Sequence, residues 1–399
     1  MSGVKTMMRF LGNAFLMSKE LFLGSLSNGP VAHAKRVSTS LCGCVECTNE
    51  MTDEIEDVEP SITLIAKPTL SLTAEIFSAV PTLILSAELV IAVRIVLSRL
   101  SSFGLSQLSH LEDLKLYGNE FSEGLPEVIC NLTSLKSLAI TGCRISQLPE
   151  RLSQLSHLED LKLNDNDFSE GLPEVVCNLT SLKSLHVVSC KISHLPEKLS
   201  QLSHLEDLKL GDNDFSDGLS EVICNLTSLK SLDVSLCKIS HLPERLSQLS
   251  HLEVLQLIGN DFSEGLPEII CNLTSLKSLD VSLCKISHLP ERLSQLSHLE
   301  DLKLTDNDFS GGFPEVICNL TSLKSLDVAK CKISHLPERL KNLSQLESLD
   351  CDENELTTVP ANLFQCRELH SLNLAGNRKL SSIDQSLLEL KHLFYLNWY

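Results

Sequence analysis

The 399-residue chain is 43% apolar but only 4% aromatic, and its formal charge at pH 7 is -19. So few large rings exclude a single core built on aromatic side chains and point to apolar surface buried by stacking small, similar units. The charge makes nucleic acid a poor ligand, because phosphates are repelled, and a basic protein surface a better one; it serves equally to keep a long chain soluble.

In chain order, the first nineteen residues contain no acid, a compositional trait of mitochondrial presequences. The apolar run after Arg9 is interrupted, and Lys19 and Glu20 soon follow, so it does not read as a signal peptide. Cys42, Cys44 and Cys47 form C-x-C-x-x-C, which with His33 would make a metal ligand set or, alone, a lipid acceptor. Without a second paired motif, an unstructured reduced tail is the better reading. Residues 1–59 are expected to be largely disordered, with Asp53 to Glu59 as an acidic linker. Residues 60–104 are expected to cap the array that follows, and 88–104 to hold a degenerate repeat. The apolar stretch Val80 to Val96 contains Pro81, Glu88 and Arg94, which argues against a membrane span.

From Leu105 the chain is repetitive. Five blocks of 47 residues start at Leu105, Leu152, Leu199, Leu246 and Leu293, and each block is itself double. Both halves fit L-x-x-L-x-L-x-x-N/C-x-L, the leucine-rich-repeat pattern. In Leu158, Leu161 and Leu163, spacings of three and then two place Leu161 and Leu163 on one side of an extended segment and Lys162 on the other. Asn166 closes the strand with an amide suited to buried backbone bonding, and Cys takes its place in alternate repeats. Phe168 and Ile192 form a second buried column, and pairs such as Leu195-Pro196 end the extended run. Leu199, Leu202 and Leu205, spaced by three, suit short 3₁₀ turns on the return. The pattern continues from Leu346 and Leu369 and restarts at Leu393, giving twelve full repeats and a partial thirteenth in 105–399. The expected fold is an α/β leucine-rich-repeat solenoid with a curved parallel sheet on its concave face and 3₁₀ or helical turns on its convex face.

The segment L-P-E-R-L-S-Q-L-S-H-L resembles the intracellular Ras-group leucine-rich-repeat proteins, related to the arrays of plant disease-resistance proteins. The other half, N-D-F-S-E-G-L-P, is similar to the plant-type repeat. The resemblance implies a non-catalytic, cytoplasmic scaffold or recognition module for proteins in signalling or innate immunity. A secreted or surface-displayed glycosylated receptor is the alternative, because five N-L-T sequons recur at Asn131, Asn178, Asn225, Asn272 and Asn319. A structural role for those asparagines is the simpler reading, each preceding a core leucine.

Ten of the fifteen cysteines fall in two columns, Cys143 to Cys331 and Cys130 to Cys318, each with a 47-residue period. Members of one column lie two repeats apart, roughly 9–10 Å, beyond disulfide reach, so they are read as reduced and buried. The histidine ladders are likewise too widely spaced to share a metal. No phosphate-cradling glycine loop or isolated nucleophile stands out, so no enzyme activity, cofactor, metal or small-molecule substrate is expected.

Comparing the blocks column by column locates the variation. It gathers at the mid-strand outward position, Ala139, His186, Asp233, Asp280 and Asp327, and at the two residues before the Asn or Cys. The partner-binding candidates are therefore Tyr117, Asn164, His186, Val188, Leu236, Ile258, Leu283, Thr305 and Lys330, with Asp350, Asp352 and Glu353 as an acidic group lacking an obvious partner. Opposed charges are expected across neighbouring strands, Lys209 beside Asp233 and Lys303 between Asp280 and Asp327, and a basic ligand is expected to prefer the carboxy-terminal half.

Overall fold

The structure, a computed structural model, describes residues 61–65, 82–86, 111–121, 124–381 and 393–398. Residues 1–60, with the Cys42, Cys44 and Cys47 motif, lie outside them, as does most of the expected cap.

Among the described residues, fifteen strands form one parallel sheet in which every strand pairs with the next in sequence. They are β1 (Ser61–Ile65), β2 (Thr82–Ser86), β3 (Asp113–Tyr117), β4 (Ser137–Thr141), β5 (Asp160–Lys162), β6 (Ser184–His186), β7 (Asp207–Lys209), β8 (Ser231–Asp233), β9 (Val254–Gln256), β10 (Ser278–Asp280), β11 (Asp301–Lys303), β12 (Ser325–Asp327), β13 (Ser348–Asp350), β14 (Ser371–Asn373) and β15 (Tyr395–Asn397). The sheet thus begins well before Leu111, with two strands in the segment expected to cap the array. It lines the concave face of a leucine-rich-repeat solenoid, and 3₁₀ turns line the convex face.

Each repeat is built the same way because each sequence column meets one physical demand. Leu161 and Leu163 point inward and are fully buried, as are Phe168 and Ile192 in the second column. A proline then caps most 3₁₀ turns, for example Pro196 before Glu197–Gln201. Its fixed φ suits a helical start and its missing N–H is not needed there. Where Ser220 replaces proline, its hydroxyl accepts a hydrogen bond from the Val222 N–H.

Two kinds of stitch hold neighbouring repeats together, and they alternate. Between blocks the stitch is an amide: Asn166 Oδ1 accepts from the N–H groups of Cys143 and Ile145, at 3.1 Å each. Its Nδ2 donates back to Ile140 O at 2.6 Å and to Leu163 O at 2.7 Å. Within a block the column holds cysteine, whose thiol donates to the preceding repeat, as Cys190 Sγ does to Leu163 O at 3.1 Å. There the halves are joined by charge instead. Lys183–Glu159 is 2.8 Å and Lys191–Asp167 2.7 Å, and both recur block after block.

Candidate recognition surface

The strand residues that face away from the core form the inner surface, and one edge of it follows a strict backbone rule. The residue just before each Asn or Cys has positive φ in all twelve repeats from β3 to β14. Its occupants in order are Gly118, Gly142, Asp165, Ser189, Asp212, Leu236, Gly259, Leu283, Asp306, Lys330, Glu353 and Gly376. Left-handed backbone suits glycine and is tolerated by Asp or Asn, whereas a bulky side chain is strained there. The column was legible in the sequence as a mixture of Gly and Asp, a left-handed signature that column variability alone does not reveal.

The candidates divide between three columns of this surface. His186 and Asp350 stand mid-strand; Tyr117, Asn164, Val188, Ile258, Thr305 and Asp352 follow the strand; Leu236, Leu283, Lys330 and Glu353 occupy the left-handed column. Tyr117, Leu236 and Leu283 are exposed, at 38%, 53% and 48%. Val188 and Ile258 are only half-buried, which makes them weaker anchors than their apolar character suggests. Leu236, Ile258, Leu283 and Thr305 follow strands β8 to β11 and form one continuous group, whereas Tyr117 stands apart at the end of β3.

Several candidates also carry structural bonds. Asn164 Oδ1 accepts from the Val188 N–H at 3.0 Å. His186 Nε2 lies 2.7 Å from Asp207 Oδ2 and 3.2 Å from Ser184 Oγ. Burial pushes Asp207 up, but hydrogen bonds from His186 and Ser231 outweigh it and leave the carboxyl below its ordinary range.

The structure corrects three expectations. Lys209 faces Asp233, and Lys303 faces Asp280 and Asp327, in register as expected. Yet none of the described ion pairs joins them: Lys303 turns to Asp301 on its own strand at 3.9 Å, as Lys115 does to Asp113 at 2.9 Å. The facing carboxylates are engaged elsewhere: Asp233, Asp280 and Asp327 accept from the N–H groups of Ser235, Ser282 and Ala329. Glu353, expected to lack a partner, pairs with Lys330 at 3.3 Å. Ala139 and Asp280, expected on the variable surface, are buried there; the Asp280 carboxylate accepts from both the N–H and the hydroxyl of Ser282. Asp352 is pushed up, by burial first and then by Asp350 and Glu353 beside it.

The remaining motifs have structural partners. His157, His204, His251 and His298 each place Nδ1 3.1–3.3 Å from the carbonyl of a sequon threonine in the preceding block. Asn131, Asn272 and Asn319 accept from Arg151, Arg292 and Arg339. Burial pushes the thiols of Cys190, Cys237 and Cys331 up to about 12, away from nucleophilic use. Among the described residues no His, Cys, Asp and Glu grouping is arranged to hold a metal, and no helix is long and apolar enough to cross a membrane.

Comparison with known proteins fits this architecture. A family model of the leucine-rich repeat region matches residues 86–238 and 217–326, and one of the leucine rich repeat matches 321–378. The chain belongs to the leucine-rich-repeat family. No curated protein matches its sequence. Among solved structures, an internalin from Listeria monocytogenes is 26% identical with a TM-score of 0.61, over 81% of this chain and 88% of its own. A leucine-rich-repeat protein of Leptospira interrogans is 24% identical with a TM-score of 0.60, over 85% of this chain and 96% of its own. A plant peptide hormone receptor, RGFR1 in complex with RGF2, is 22% identical with a TM-score of 0.54, over 86% of this chain and 59% of its own. The last two likenesses are of fold alone.

Proposed function

We propose that the protein is a non-catalytic recognition module or scaffold that binds a protein partner on its concave face, in intracellular signalling or innate immunity. One observation carries this reading. Side chains that the fold does not need, and in places disfavours, collect along one edge of the inner sheet while the columns beside them hardly change. The Ras-group likeness of the L-P-E-R-L half and the reduced, buried cysteine columns support the intracellular setting.

A second reading, a secreted or surface glycoprotein receptor, draws on the exposure of Asn178, Asn225, Asn272 and Asn319 along one convex line. Glycosidase treatment of the native protein separates the two, since a mass shift supports only the second. Binding itself is tested with a co-purified partner. Burying an apolar anchor contributes about 1–3 kcal/mol, so Tyr117, Ile258 and Leu283 changed together to Ser should weaken affinity by about tenfold or more. Glu127, Glu174 and Glu268 changed to Ser on the convex side should leave it unaltered. Loss in the convex variant alone would place the site on the other face.

A further inference from the structure

Each repeat is stitched to its neighbours until β15, where the stitching stops. Among the described residues β15 pairs with β14 alone, so its far edge has no strand beside it. The core columns open there as well. Leu346, Leu369, Leu349, Leu372 and Leu374 are fully buried, yet Leu393, Leu396 and Trp398, which continue their columns, are only half-buried. The flanking ladder of Glu and Lys loses its charge at the same point. After Glu347 it continues with His370 and then Phe394, whose rings stack with centroids 5.7 Å apart. Phe394 itself is 82% exposed. Residues 393–398 contain no charged side chain and no proline, two devices that blunt the edge of a sheet.

The order of these residues specifies what covers them. The Tyr395 N–H donates to His370 O, and the Asn397 carbonyl accepts from the Leu374 N–H, so the main-chain groups of both turn toward β14. Successive residues of a strand turn opposite ways, which leaves the N–H and C=O of Leu396 on the free edge. Leu396 is also the centre of a self-complementary run. Phe394 to Trp398 read nearly alike in both directions: a large ring, a side chain with a polar end, leucine, a polar side chain, a large ring. We propose that β15 pairs antiparallel with the β15 of a second copy, about a two-fold axis at Leu396, and joins two solenoids end to end through one sheet. The two copies of Leu396 then exchange N–H···O bonds, Phe394 of each lies opposite Trp398 of the other, and Tyr395 lies opposite Asn397. Charge favours a copy over a basic protein as the occupant. A chain of formal charge -19 repels itself over most of its surface, and two copies can meet only where charge is absent. A basic partner would gain nothing at this edge. The pairing does not depend on what the concave face binds.

Sedimentation of the full chain should give twice the mass of one copy, and the dimer should tighten as salt rises, because screening weakens the repulsion between copies. Phe394→Lys introduces the residue that the same column holds at Lys277 and Lys324. It should therefore unfold at the parent's temperature while dimerisation weakens at least tenfold. Leu396→Pro removes an N–H that only the second copy uses and should leave a monomer. The register is tested by crosslinking, in a chain with Cys42, Cys44 and Cys47 changed to Ser. Directly opposite Cα atoms lie about 5.5 Å apart, within disulfide reach, so Leu396→Cys should give a covalent dimer that a reductant dissolves, and Phe394→Cys should give none. A parent that stays monomeric at every concentration reached would overturn the proposal. Slow amide exchange at Leu396 in the monomeric Phe394→Lys chain would do the same, since the chain would then cover its own edge. A dimer that loosens with salt, survives Phe394→Lys or gives no crosslink through Leu396→Cys would use another surface or register, and would overturn it too.

Discussion

Two columns of this solenoid run one residue apart in sequence and behave oppositely. The Asn/Cys column is buried and alternates between the same two residues from Asn119 to Asn354. The left-handed column beside it holds Gly, Asp, Ser, Leu, Lys and Glu. Each answers a demand of the fold, one for hydrogen bonds to buried backbone, the other for positive φ. In the first, failing the demand leaves buried polar groups unpaired, which is expensive. In the second, failing it costs backbone strain of only about 1–2 kcal/mol, which a repeat with many neighbours absorbs. Tolerance, and hence room for recognition, lies where the demand is cheap to violate.

The sharpest way to break the scaffold side of that comparison is to charge the interior. Leu208 is fully buried on β7, and Leu208→Asp should destabilise the chain by roughly 3–5 kcal/mol, as an unpaired charge in the stack. Thermal unfolding indistinguishable from the parent would mean the inward assignment is wrong. Next in size is the amide column. Asn213 accepts from the N–H groups of Cys190 and Ile192 and donates to Val187 O, Leu210 O and Gly211 O. Asn213→Ala should cost roughly 2–4 kcal/mol by orphaning several of these groups. Asn213→Cys, which places the residue of the neighbouring repeats there, should cost measurably less, because a thiol still donates once. Equal denaturation midpoints for the two variants would contradict the hydrogen-bonding account.

The left-handed column gives a smaller and finer test. Nothing lies within 4 Å of a Cβ built on Gly118, so Gly118→Ala meets strain without collision and should cost about 1 kcal/mol. Gly259→Ala meets the same strain and also Leu236, and should cost more. If the order is reversed, Leu236 does not occupy the space beside Gly259 in solution.

How much of this was legible beforehand follows from the same contrast. The core columns, the 3₁₀ returns and the parallel order were all readable, because a 47-residue period repeats each of them five times. The strands β1 and β2 were not, since their sequence shares too little of the repeat pattern to mark where a strand begins. On the inner face, register was legible but pairing was not. Lys303 stands beside Asp280 and Asp327 yet turns to Asp301, because the N–H groups of Ser282 and Ala329 already engage those two carboxylates, bonds that the spacing of the repeats does not reveal. The backbone signs were present in the Gly and Asp of one column but were masked by the Ser, Leu, Lys and Glu that share it.

The smallest effect concerns the charges that stitch the halves of each block. Asp167, Asp214, Asp261 and Asp308 all sit below their ordinary range, chiefly through hydrogen bonds from Lys191, Lys238, Lys285 and Lys332, and Asp308 falls to about 2. A carboxylate whose folded value is depressed contributes its stability above the unfolded value of 3.8, and that contribution is lost as pH falls through the folded value. These pairs are solvent-exposed, and exposed pairs are weak and screened by salt. Lowering the pH from 5 toward 2 should therefore loosen the stitches within blocks before it touches the amide stitches between them, which carry no titrating group. A carboxyl-carbon NMR titration should find Asp308 changing near pH 2 in the parent and at a higher pH in Lys332→Ala, still below its ordinary range because Ser310 also donates to it. The same midpoint in both proteins would show that the pair does not form in solution, and the alternation of charge and amide stitches would reduce to the amides alone.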